Sequence, residues 1–140
     1  MNRRTFTRCA IALTATFGIA CGSDSTAPVV VTSVAGTWKL TSVDSKALPY
    51  ILSASDPKLE VTAKQYVITA TGSFTMTLTV RSTDLDGTVT TSTSTDTGSS
   101  TLADNTATFT YASNASTASA AVTPTTMTFG GSAVQEFTKQ

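Results

Sequence analysis

Side chains able to move protons or attack substrates are scarce in this 140-residue chain, which has no His. That removes Ser-His triads, Cys-His dyads and most zinc sites. Ser55-Asp56-Pro57-Lys58 has the Ser-x-x-Lys spacing of a serine nucleophile with lysine one helical turn on. That chemistry needs a helix start. Here the Ser falls in a loop between strand-like runs, so catalysis from it is not expected. Asp84-Leu85-Asp86-Gly87 could begin a calcium loop. Residues 89–95 add no carboxylate to complete one, so both aspartates read as hairpin chemistry. They also fail as a glycosidase pair, because a solvated tip does nothing to raise either pKa. No catalytic residue, metal site or cofactor is expected, and the reading is non-enzymatic.

What remains is two cysteines with different fates. Arg3, Arg4 and Arg8 form a basic start, and Cys9 to Ala20 is an uncharged, mostly apolar run of twelve residues. This is the layout of a secretory signal peptide, residues 1–20. The run is too short to span a bilayer as a helix. Gly18-Ile19-Ala20-Cys21 resembles the lipobox of bacterial lipoproteins, with Ala20 fitting the position before the cysteine and Gly18 replacing the usual Leu. The resemblance implies cleavage before Cys21 and a lipid on its thiol. Simple secretion, with Gly18 and Ala20 as small cleavage-site residues, is the bland alternative. Arg3-Arg4-Thr5-Phe6 also resembles a twin-arginine export signal, with general secretion the other route. Residues 21–32 are small and polar and read as a flexible tether. Gly22 stands where an inner-membrane retention signal has Asp, which points to the outer membrane of the cell envelope.

Beyond residue 20 the chain has six Lys/Arg against nine Asp/Glu, a net charge of −3. A basic footprint for nucleic acid is absent. With Cys9 removed and Cys21 acylated, no disulfide forms. One hydrophobic core must hold residues 33–140 together.

That core has to come from strands. Phe74, Met76, Leu78 and Val80 alternate with Ser73, Thr75, Thr77, Thr79 and Arg81, which puts the apolar four on one face. The turn from Thr83 to Thr88 reverses the chain, with Asp86-Gly87 suited to φ > 0. A two- or four-residue loop there predicts that Val89, Thr91, Thr93, Thr95 and Thr97 face inward. Such a strand is either largely exposed or lines a wet cavity, since buried hydroxyls need partners. Gly98 then reads as a phase change, after which Ser100 and Leu102 partner Ala107, Phe109 and Tyr111.

Upstream, Val34, Gly36, Trp38 and Leu40 share a parity that sends Trp38 to the core. Asp44-Ser45-Lys46 is the first turn. Leu48, Tyr50 and Leu52 alternate around Pro49, which argues for an edge strand. Leu59, Val61 and Ala63 alternate, then Tyr66, Ile68 and Ala70 take the opposite parity, so a bulge or short turn is expected near Lys64-Gln65. Gly72 turns the next hairpin and Asp104-Asn105 a later one. Ala118, Ala120 and Val122 lead through Thr123-Pro124-Thr125 to Met127 and Phe129, and a last strand is expected over 133–138 with Val134 and Phe137 apolar. Eight to ten short strands joined by sequential hairpins predict an all-β, antiparallel up-and-down barrel.

Four stretches taken together resemble the lipocalin-like domain of bacterial lipoproteins. They are Val34-Ala35-Gly36-Thr37-Trp38-Lys39-Leu40 with its Gly-x-Trp, Ala70-Thr71-Gly72-Ser73-Phe74, Gly98 to Leu102 followed by Thr106-Ala107-Thr108-Phe109, and Phe137-Thr138-Lys139. The resemblance covers residues 33–139 and implies a small meander barrel, often with a cavity for an apolar ligand. Ser100 departs from it, standing where an aromatic residue often fills the core. The turns at 44–46 and 104–105 lack the usual glycine. Trp38, Phe74, Met76, Leu78, Phe109, Tyr111, Met127 and Phe129 are the residues for either a filled core or a pocket. The expected partners are the membrane, through the anchor, and a small apolar ligand. An envelope protein-interaction or inhibitor module using the Thr83–Thr88 loop is the alternative, ahead of an envelope hydrolase.

Overall fold

The computed structural model describes residues 30–140. The leader with Arg3, Arg4 and Ala20, the lipidation candidate Cys21 and the tether to residue 29 lie outside the described residues. Ten strands follow: β1 (Gly36–Val43), β2 (Lys46–Ala47), β3 (Tyr50–Ser53), β4 (Lys58–Ile68), β5 (Ser73–Thr83), β6 (Val89–Ala103), β7 (Thr106–Tyr111), β8 (Thr117–Val122), β9 (Thr126–Phe129) and β10 (Gln135–Lys139). Each neighbouring pair from β4 to β10 is a sequential antiparallel hairpin, β10 pairs with β1, and β1 pairs with β4 to close the ring. The result is an eight-stranded, up-and-down antiparallel barrel, as the sequence pattern predicts. Closure leaves few edges for another chain to pair with.

Two hairpin turns explain how the chain manages without glycine. Val43 pairs with Lys46 and Ala103 with Thr106, so each turn has two residues. Asp44 and Ser45 have φ of 50° and 62°, and Asp104 and Asn105 have 46° and 63°. Positive φ at both positions is the type I′ geometry that matches strand twist, and Asp and Asn tolerate it better than most side chains.

At one end the barrel is filled. Tyr66 on β4 is fully buried, with ring centroids 5.6 Å from Phe74, 5.2 Å from Phe109, 5.5 Å from Phe129 and 5.4 Å from Phe137. Each such side chain contributes about 1.5–3 kcal/mol by leaving water, and edge-on ring pairs add about 0.5–1.5 kcal/mol. Trp38 lies beside them, fully buried, and its indole N–H donates to the Val34 carbonyl at 2.8 Å. Residues 30–35 lie across this end. Val34 is buried, and the Val31 N–H donates to Asn105 Oδ1 in the β6–β7 turn at 2.7 Å.

Gly98 on β6 makes room for this packing. A Cβ there would sit 2.0 Å from the Thr110 carbonyl oxygen and 2.8 Å from the Phe74 ring. Gly72, at φ +86°, accepts both the N–H (2.7 Å) and the hydroxyl (2.9 Å) of Ser100 on its carbonyl. A larger residue at 100 would lose that bond, which explains the small side chain at a core position.

Four expectations about strand phase are corrected. Thr83 pairs with Val89, so five residues make the β5–β6 loop. An odd loop reverses the parity of the return strand. Ser92, Ser94 and Asp96 therefore stand opposite Val80, Leu78 and Met76, and the inward set is not Val89, Thr91, Thr93, Thr95 and Thr97. The same even parity runs on through Gly98 to Ser100 and Leu102, so Gly98 is a close approach and not a phase change. The β4 bulge lies between Val61 and Ala63, earlier than Lys64-Gln65, and it leaves Ala63 exposed and gives Lys64 the inward place. The last strand begins at Gln135, and Val134 is exposed because the Asp44 backbone and carboxylate hold it in the preceding loop.

A split at the open end of the barrel

The candidate site lies where the ring comes apart. β1 and β4 pair over only four positions, Gly36 to Lys39 with Gln65 to Ile68. Beyond them β1 takes β2 as its partner and β4 takes β3, so the strands diverge and the segment 46–53 straps the gap. The cause is in the chain. The bulge at Thr62 bends β4 away, as an extra residue on one strand does, and the Asp44-Ser45 turn folds β1 back on itself.

The opening has two chambers. An outer groove of about 430 Å³ is lined by Lys39, Leu40, Leu48, Thr62, Ala63, Lys64, Gln65, Thr77 and Thr79. An inner chamber of about 170 Å³ is lined by Leu40, Val43, Tyr50, Leu52, Val61, Lys64, Leu78, Ala133 and Gln135. Leu40 and Lys64 line both, so they form the threshold between them. Both chambers are open to solvent; the outer groove has the volume of small-molecule sites, roughly 300–1,000 Å³, whereas the more apolar inner chamber is smaller.

Lys64 is the unusual group. It takes the inward register place next to Tyr66, and its Nζ lies 5.7 Å from the Tyr66 ring centroid and 5.9 Å from that of Phe137. Nζ donates one hydrogen bond, to Gln135 Oε1 at 2.9 Å. The ion pairs among the described residues join Lys58 and Arg81 to Glu60, on the other face of β4, and none involves Lys64. Burial pushes the Lys64 amine below its ordinary pKa, because a charge costs more away from water. An ammonium has three donors, so two remain for something else.

Asp44 clasps the rim. Its Oδ2 accepts the Tyr50 hydroxyl at 3.0 Å, its Oδ1 accepts the Val134 N–H at 2.8 Å, and its own N–H donates to the Val134 carbonyl. The bond to Asp44 raises the Tyr50 phenol pKa. The strap and the β9–β10 loop are thereby tied to one turn.

Deeper in, the Tyr66 and Tyr111 hydroxyls hydrogen bond to each other. Burial first, and that bond second, drive the Tyr66 phenol far above its ordinary pKa. Asp96, half-buried on the inner face of β6, accepts the Ser113 hydroxyl at 2.6 Å.

The residues read from the sequence as core or pocket divide between these regions. Trp38, Phe74, Phe109, Met127 and Phe129 are buried in the filled end. Met76 and Tyr111 pack partly buried against it, and Leu78 alone of the set lines a chamber. Ser55 sits in the β3–β4 loop and Lys58 is paired with Glu60 at 2.9 Å, so the Ser-x-x-Lys spacing brings no lysine to the serine. Asp86 accepts the Thr88 N–H at 2.8 Å inside its turn, which lowers its pKa. Lys64 and Gln135 escaped the sequence reading, although each shares parity with a buried ring, Tyr66 and Phe137 respectively. Asp44 gave no such signal, since its partner Val134 lies 90 residues away.

Compared with family models, with curated proteins and with solved structures, the chain matches none of them. The reading of its function rests on the fold and on the split.

Proposed function

We propose that this chain is a bacterial lipoprotein of the cell envelope whose lipocalin-like barrel holds a small, largely apolar ligand and performs no catalysis. In this reading the leader 1–20 is removed, Cys21 carries the lipid, and residues 21–32 space the barrel from the membrane, more fittingly the outer one. The observation that carries the ligand reading is the two-chambered split. Leu40, Val43, Leu52, Val61 and Leu78 give it apolar walls, and Lys64 and Gln135 are its convergent polar groups, the usual make-up of a small-molecule site. The anchor reading stands on the lipobox-like run ending at Cys21. Growth with a fatty-acid analogue tests the anchor: the chain takes up label, and Cys21→Ser abolishes it. Unlabelled protein free in the medium rules the anchor out. Native mass spectrometry after mild extraction tests the ligand, with a bound small molecule as the expected result.

A second reading, a protein-interaction or inhibitor module, is favoured by one feature. The β5–β6 tip presents Leu85, 87 % exposed, and Val89, 58 % exposed. A partner protein that co-purifies and is lost on Leu85→Ser would choose it.

A further inference from the structure

The ring closes, but β6 outgrows it. β6 has 15 residues and β7 has 6, and β7 pairs only with Gly98 to Ala103. Residues 89–97 therefore have β5 on one side and no strand on the other. The ladder tells which backbone groups face out. The Asp84 N–H donates to the Thr88 carbonyl, so even-numbered residues of β6 turn their groups toward β5 and odd-numbered ones turn away. Two further bonds agree: the Ser100 N–H donates to the Gly72 carbonyl, and the Thr97 carbonyl accepts the Ala112 N–H. The Thr97 N–H is taken as well, by Asp96 Oδ1 at 2.8 Å. The N–H and C=O groups of Val89, Thr91, Thr93 and Thr95 are left facing outward, and among the described residues nothing bonds them.

Sheet edges are ordinarily blunted by Lys, Pro, a bulge or a covering loop. Residues 89–95 have no charge and no Pro, and all are exposed. Their register with β5 runs without a shift. We infer that this edge pairs with the same edge of a second copy, antiparallel about a twofold axis, with Thr91 opposite Thr93 of the copy and Val89 opposite Thr95. In that register every outward group of one copy meets its counterpart on the other. A two-residue slip sets Val89 against the occupied Thr97, or Thr95 against Gly87 in the turn. A copy is the occupant this edge suits. The side chains brought opposite are Thr with Thr, Val with Thr, Thr90 with Ser94, and Ser92 with itself, hydroxyl and β-branched pairs of the kind that stabilise neighbouring strands. No like charges stand opposite, since Asp96 faces Thr88. The edge offers neither a pocket nor a charge to choose a foreign strand by its side chains. This association goes beyond the ligand-binding reading and does not depend on it.

Sedimentation of the full chain in mild detergent from about 1 μM to 1 mM, the range of small interfaces, is expected to show a monomer–dimer equilibrium. Thr93→Pro removes an edge donor from each copy, and Thr93→Lys blunts the edge with charge. Each weakens the dimer about tenfold or more. The Thr93 N–H points away from β5, so the proline spares the hairpin. Trp38 fluorescence checks that both variants are folded, and the lysine variant carries the test if the proline one is not. Oxidation of Ser92→Cys links two copies, because facing residues in a non-hydrogen-bonded antiparallel pair lie about 4.5 Å apart at Cα, within disulfide reach. Ser94→Cys, which faces Thr90, gives no such link. Peptide mapping separates these links from any through Cys9 or Cys21. A monomer across the whole range overturns the inference, and so does a dimer unchanged by both Thr93 variants or linked equally at 92 and 94. A different protein that co-purifies and is released by Thr93→Pro overturns it in favour of a foreign strand.

Discussion

Tyr66 and Lys64 are neighbours on the inward face of one strand, and they mark a boundary between two kinds of barrel interior. On the Tyr66 side eight strands close on one another and phenyl rings fill the space. On the Lys64 side β1 and β4 part, and the interior is a chamber with a charge at its threshold. The closed half carries stability, because ring burial there is nearly complete. The open half is held by the Asp44 clasp and by short ladders on β2 and β3. Concentrating the core at one end is what leaves the other end free to stay open. A barrel this small with aromatic rings at every inward position would have no room for a ligand.

The sharpest way to break the contrast is to empty the closed half. Phe109→Ala removes a ring that touches Tyr66, Phe74 and Phe129. It is expected to cost about 3–5 kcal/mol, a large share of the roughly 5–15 kcal/mol that holds a domain of this kind. Urea unfolding followed by Trp38 fluorescence checks it.

Next comes Gly98→Ala, which pushes a methyl into the Thr110 carbonyl and the Phe74 ring. Overpacking of this kind costs about 1–3 kcal/mol, and the same unfolding curve reads it. A neutral result would mean that β6 and β7 can separate at little cost.

Lys64→Met tests the open half and should behave differently. Replacing an inward ammonium by a thioether of similar length leaves stability within about 1 kcal/mol or raises it. The pH dependence fixes the sign. The amine is lowered in the folded chain, so between that value and the ordinary lysine value, about 10.4, the unfolded chain binds more protons. The Lys64 contribution to stability therefore climbs as pH rises through that window, and it is read as the unaltered curve minus the Lys64→Met curve, because the raised Tyr66 and Tyr50 phenols act with the opposite sign near pH 10 in both proteins. A difference curve that falls with pH would contradict the burial of this amine.

Leu85→Ser at the exposed hairpin tip should shift the unfolding midpoint least, by no more than about 0.5 kcal/mol. A larger loss would mean that the β5–β6 arm packs against more of the barrel than its exposure indicates.

Much of this was open to reading in the linear chain. The period-two pattern from Phe74 to Val80 fixes β5, and the glycines and the Asp-Ser and Asp-Asn pairs mark the hairpins, because side-chain alternation and positive-φ preference are local properties. Trp38, Phe109 and Phe129 declare themselves inward for the same reason. The phase of β6 could not be read, since it hangs on whether the loop after Thr83 holds an even or an odd number of residues. Thr and Ser on both faces of 90–95 give no apolar signal to correct an error. The candidate site was half legible: Lys64 has the parity of Tyr66, but a lysine beside a suspected bulge is ordinarily solvated.

Alternation along each strand, then, was set by residue order alone, and it dictated an all-antiparallel sheet with one apolar face. How far that sheet zips along its closing seam was decided in three dimensions. Four β1–β4 pairs form before the Thr62 bulge and the Asp44-Ser45 turn draw the strands apart. Local rules act over a few residues. A seam joins positions some thirty residues apart, and only the assembled ring settles where it ends.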